Sequence, residues 1–169
     1  MCVRYRYCVS TSIHHYAKTV AYAATHQFIE ADQEKKFFYE SLHLIDRNRR
    51  FFNNPALQTL GVGEKMLLGE LEYHKQNYEA AFEHLRDAVA RCDALHYSEP
   101  WPWMHPPRHA LGALLIEQGY YDEAEQVYRD DLGLSKTVPR CAQHPNNVWA
   151  LHGPVSDTPL TPPPTPTRQ

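Results

Sequence analysis

Cysteine is scarce and scattered in this 169-residue chain: Cys2, Cys8, Cys92 and Cys141 form no closely spaced pairs. A zinc knuckle or a disulfide framework needs cysteines at short, repeated intervals, so neither is expected, and reduced thiols in the cytoplasm are. Long apolar runs are missing too. Nowhere do about eighteen apolar residues run together, and the N-terminus carries Arg4 and Arg6 without an apolar stretch of signal-peptide length, so neither a membrane span nor secretion is expected. A large charge of either sign is also absent. A net charge of −3 provides no general attraction to phosphate backbones, and nucleic acid is not an expected partner. The one basic cluster, Arg47, Arg49 and Arg50, reads as a solvated connector.

What is present is ordinary for a folded chain. With 43% hydrophobic and 22% charged residues, the composition argues against disorder through most of the length. A chain of this size buries roughly two-thirds of its unfolded surface, enough for one domain with a tail.

The most ordered pattern runs from Arg108 to Leu132. Apolar or small residues recur three or four apart through Ala110, Leu111, Leu114 and Leu115, stop at Gln118-Gly119, and resume at Ala124, Val127 and Tyr128. Two amphipathic helices with a glycine turn between them produce this pattern. The design recurs 43 residues earlier, where Leu68-Gly69 matches Leu111-Gly112, Tyr78 matches Tyr121, Ala81 matches Ala124 and Leu85 matches Tyr128. A repeat is the economical explanation.

The Leu-Gly pair, the turn, the alanine twelve residues after the glycine and the large apolar residue four later resemble the tetratricopeptide repeat (TPR). Gly69 and Gly112 then stand where a missing side chain lets two helices approach, with Ala81 and Ala124 doing the same from the opposite helix. The segments EPWPWMHPPRHALG at 99–112 and HPNNVWALHG at 144–153 are further similar to a group of bacterial and fungal TPR proteins of no established activity. In that group more repeats flank the region on both sides, so this chain departs from it as a fragment or variant does. The resemblance implies an all-α fold: a right-handed α-α superhelix of two to three helical hairpins over 13–153, acting as a binding surface.

In chain order, residues 1–12 are an ill-defined lead-in, with Thr11 or Ser12 as a helix cap. A divergent hairpin covers about 13–46, with Thr19 at the expected glycine, His26 at the turn glycine and Lys35 at the large apolar position. Arg47 to Asn53 is a polar connector, and Asn54-Pro55 opens the second hairpin, about 55–95. Four prolines exclude regular helix from 96–107, which holds Trp101, Trp103 and Met104. These large side chains must fold back over the helices or meet a partner. The third hairpin spans 108–132, and Trp149 to Gly153 begins a partial repeat at 145–153. Between Pro154 and Gln169 six of sixteen residues are proline, which predicts an extended or disordered tail.

In a TPR stack the first helices of successive hairpins line a concave groove. The register assigns to it Tyr16 and Val20, then Met66, Glu70, Tyr73 and His74, then His109, Ile116 and Glu117, with Trp101 and Trp103 on the adjoining loop. Such a surface suits an extended peptide with a basic or apolar side chain. The lysines and asparagines of a TPR carboxylate clamp are absent from these positions. The expected function is a protein or peptide interaction module, with no catalysis and no cofactor. The alternative is a metal-binding protein or enzyme using His74, His109, Glu70 and Glu117, although no HExxH-type motif sets their spacing. Cys92 with His96, and Cys141 with His144, lack the oriented third group of a nucleophile. A truncated product with no role of its own is a third possibility.

Overall fold

The computed structural model describes residues 7–104 and 106–152; His105, Gly153 and the expected tail at 154–169 lie outside the described residues, as does the first half of the lead-in, residues 1–6. The described chain is mostly helical. It contains α1 (Cys8–Ala24), α2 (Phe28–His43), strands β1 (Arg50–Phe51) and β2 (Asn54–Pro55), α3 (Ala56–His74), α4 (Tyr78–Asp93), α5 (Pro107–Glu117), α6 (Tyr121–Leu132), a 3-10 turn at Arg140–Ala142, and α7 (Val148–His152). Two compact units divide it, Met1–Leu111 and Gly112–Gln169.

In the first unit α1 packs against α2 and α3, and α3 packs against α4. Each helix buries the face its spacing dictates. On α1 that face is Cys8, Ser12, Tyr16, Thr19 and Ala23, recurring at three or four residues. Helix α3 buries residues around much of its circumference, from Ala56 and Leu60 through Met66 and Leu67 to Leu71, because neighbours cover more than one of its sides. Where α3 crosses α4, a Cβ on Gly69 would lie 2.6 Å from Cγ of Leu85, so the glycine sets how closely the helices approach.

The turns inside the hairpins share one geometry. His26 and Gln76 in the first unit have φ of 58° and 66°, and Gly119 in the second has 79°. In each, the following residue donates its N–H five residues back: Gln27 to Tyr22, Asn77 to Glu72, and Tyr120 to Leu115. This is the Schellman arrangement, which satisfies the last free carbonyls of a helix.

Three local expectations are corrected. Helix α1 begins at Cys8, and the hydroxyls of Thr11 and Ser12 bond back to the carbonyls of Tyr7 and Cys8 within its first turns, so neither caps it. The connector at 47–53 is partly a β-hairpin, pairing Arg50 with Pro55 and Phe51 with Asn54. Asn54 does not cap α3 either. Its buried amide instead donates to the carbonyl of His96 at 2.9 Å and accepts the N–H of His96 at 2.7 Å.

In the second unit Tyr128 lies where a Cβ on Gly112 would fall, 2.6 Å from its ring. Tyr128, Leu132 and Ala150 form its apolar cluster, with Ile116 packed against them. Asp131, fully buried, binds Nδ1 of His144 at 2.6 Å and so ties the segment leading into α7 to α6. Trp149 is 72% exposed, so the buried face of α7 belongs to Ala150 rather than to the tryptophan.

Candidate functional site: an apolar pocket beside the tryptophan loop

The proline-rich loop divides its large side chains between two tasks. Trp103 is buried in the first unit, occupying the space left by the missing side chain of Gly63. Its indole N–H donates to the sulfur of Met66 at 3.0 Å, and its ring meets Tyr16 edge-on with centroids 5.1 Å apart. Trp101 and Met104, on either side of it, stay 44% and 52% exposed. The loop is clamped at both ends, by Asn54 on the backbone of His96 and by Arg108, which makes two 2.6 Å hydrogen bonds to the carboxylate of Asp93.

Between this loop and the helices lies a pocket of about 280 Å³, room for one bulky apolar side chain. Val9 and Ile13 of α1 form one wall, and Phe51 and Phe52 of the β-hairpin another. The first turns of α3, with Ala56, Thr59 and Leu60, close the back, and residues 100–104 form the remaining side. Among the described lining residues Thr59 brings the one hydroxyl, which already donates to the carbonyl of Pro55. The pocket therefore selects for apolar matter.

The residues assigned to the groove separate. Tyr16, Met66 and Trp103 come together, but as packed core: Met66 has no exposed surface and Tyr16 only 6%. Burial, and secondarily the charge of Glu70, pushes the Tyr16 phenol far above its ordinary value, so it remains neutral. Tyr73 is corrected likewise. It is buried against Tyr78 and Phe82, at 5.2 and 6.2 Å, and so faces α4 inside its own hairpin. Val20 is partly buried against the core of the first unit. Glu70 and His74 lie one helical turn apart at 3.8 Å, both partly accessible. His109 is half-buried on α5, Ile116 packs inside the second unit, and Glu117 is exposed.

Among the described residues, no three His, Cys, Asp or Glu side chains converge on a position that could hold a metal ion. The sequence had singled out Trp101 and Trp103 but missed Phe51, Phe52, Val9 and Ile13. Phe51-Phe52 next to a turn-forming Asn-Asn was the available signal for the β-hairpin. Nothing in the spacing of Val9 and Ile13 showed that they would face the loop. No family model matches the chain, and neither a curated protein nor a solved structure matches it.

Proposed function

We propose that the chain is a peptide-binding module of tetratricopeptide-repeat-like hairpins, and that it takes an apolar side chain of its partner into the pocket beside Trp101. The supporting observation is the pairing of a fixed loop with exposed anchors. Trp101, Met104 and Phe52 remain in water around an apolar hollow, and hydrogen bonds hold the backbone that carries two of them. Preset aromatic surface binds at low entropic cost, because little is left to order on association. The TPR assignment is supported by the paired Gly69 and Gly112 crossings, by the repeated turn, and by α1 packing on α3 as first helices of consecutive hairpins do. In this reading Trp103 fills the part of the groove over Tyr16 and Met66, and recognition moves to the rim. The module works in the cytoplasm without a cofactor or catalysis. Its described cysteines, Cys8, Cys92 and Cys141, are free thiols, and no described helix is long and apolar enough to cross a membrane.

Panning a random peptide display library against the immobilised full-length chain tests this. Peptides with an aromatic or leucine anchor are expected to enrich, and Trp101→Ala is expected to weaken them about tenfold or more while costing less than about 0.5 kcal/mol of stability. No enrichment, or equal binding by Trp101→Ala, refutes the proposal.

A further inference from the structure

Among the described residues the pocket lining has no charged side chain, yet the hairpin that supplies Phe51 and Phe52 is led by three exposed arginines, Arg47, Arg49 and Arg50. The backbone of Arg49 and Arg50 is held in place, Arg50 by its pairing with Pro55. The N–H of Arg49 donates to Asp46 at 2.9 Å, and its carbonyl accepts the N–H of Ala56 at 2.8 Å. The guanidinium of Arg50 donates across the turn to the carbonyl of Asn53. Phe52 itself holds φ at 52°, a left-handed conformation that bulky residues rarely adopt, and its ring remains 56% exposed at the pocket edge. Asp46 and Glu99 offset part of that charge, and segments 46–55 and 96–104 together keep a net charge of +1 with histidine neutral. The carboxylate of Asp46 accepts the N–H of Asn48, and that of Glu99 accepts the Tyr97 hydroxyl.

We infer that the site takes an acidic peptide with one bulky apolar anchor. The anchor enters between Phe52 and Trp101, and carboxylates flanking it meet Arg47 and Arg49. This rests on the peptide-module reading and adds the chemistry of the partner. Charge complementarity carries it: a neutral, apolar hollow selects the anchor, and exposed guanidiniums on the segment that supplies Phe51 and Phe52 to its wall select carboxylate neighbours, which they bind in paired hydrogen bonds.

The test uses the full-length chain and fluorescein-labelled peptides with a central phenylalanine flanked by glutamates, serines or lysines, read by fluorescence anisotropy. The glutamate peptide is expected to bind at least tenfold tighter than the lysine peptide and to weaken as salt is raised. Replacing its phenylalanine with alanine is expected to cost at least tenfold. Arg47→Glu with Arg49→Glu is expected to reduce binding of the glutamate peptide at least tenfold and leave the serine peptide unchanged. Arg50 is left in place because it shapes the hairpin, and circular dichroism melting verifies that each variant folds.

Equal binding of glutamate, serine and lysine peptides overturns the acidic preference while the peptide module stands. If none of the phenylalanine peptides binds, both fall. Uptake of decanoate in place of every peptide assigns the pocket to a lipid chain and overturns the inference as well.

Discussion

The two hairpins of the first unit reach the same backbone form with opposite interiors. The second is mostly apolar, Thr59 being its buried polar residue, and its crossing is size-limited: Gly69 lies against Leu85, flanked by Ala81 and Ala88, all buried. The first buries Ser12, Thr19, Glu34 and Ser41. Ser12 and Ser41 share a 2.6 Å hydrogen bond across the crossing, Thr19 returns its hydroxyl to the carbonyl of His15, and Glu34 binds both His15 and Lys18. Among the described residues no buried side-chain nitrogen or oxygen lacks a partner. A helix crossing thus tolerates polar residues when each hydroxyl can return to its own helix or reach the facing one, which removes the desolvation penalty. One hairpin is sensitive to volume, and the other to protonation.

The largest effect is expected where both hairpins lean on one side chain. Trp103→Ala removes the ring that touches Tyr16 of the first hairpin and Met66 of the second, and is expected to cost about 3–5 kcal/mol in denaturant unfolding. Gly69→Ala follows. It gains helix propensity but drives a methyl into a buried leucine, for a net loss of about 1–2 kcal/mol. Combined with Leu85→Ala, the loss should fall short of the sum of the two single effects by about 1 kcal/mol, which isolates the crossing itself. Ser41→Ala in the first hairpin should cost about 1 kcal/mol, since it leaves Ser12 with only the Cys8 carbonyl.

The smallest effect separates the hairpins by pH. Burial raises the Glu34 carboxyl, but hydrogen bonds from Lys18 and His15, with their charges, outweigh it and hold the group below its ordinary value. A lowered folded value means stability that is present above the unfolded value and lost as pH falls through the folded one. Melting curves should therefore show the native chain weakening below about pH 4.3, the ordinary glutamate region. Glu34→Gln, which is expected to cost under about 1 kcal/mol at neutral pH, should show a shallower slope, the remainder coming from Asp32 and Asp87, whose carboxyls neighbouring lysines and Arg91 also hold low. An unchanged slope in Glu34→Gln would remove the contrast between the two interiors.

Much of the helical pattern was legible because it depends on spacing. Tyr78, Ala81 and Leu85 repeat the register of Tyr121, Ala124 and Tyr128, and helices begin at both tyrosines. Gly119 announced its turn, whereas His26 and Gln76 hold the same left-handed φ without a residue type that favours it. There the helix on either side, and the hydrogen bonds closing the turn, override local preference. The site was half legible. The tryptophans stood out by composition, but the register placed Met66 and Tyr73 on an open groove, and neither is accessible. Helical periodicity tells which residues share a face, not what will cover that face.

By itself, the sequence determined the helices, their small-residue crossings and the non-helical proline stretch, because these follow from residues near one another in the chain. Tertiary structure alone decided that Trp103 would be core and Trp101 surface, although they are two residues apart and chemically identical. It also decided that Asn54 would hold the backbone at His96 rather than cap a helix. Both outcomes depend on packing between segments some forty residues apart, where the free energy of burial and of satisfied buried hydrogen bonds outweighs local preference.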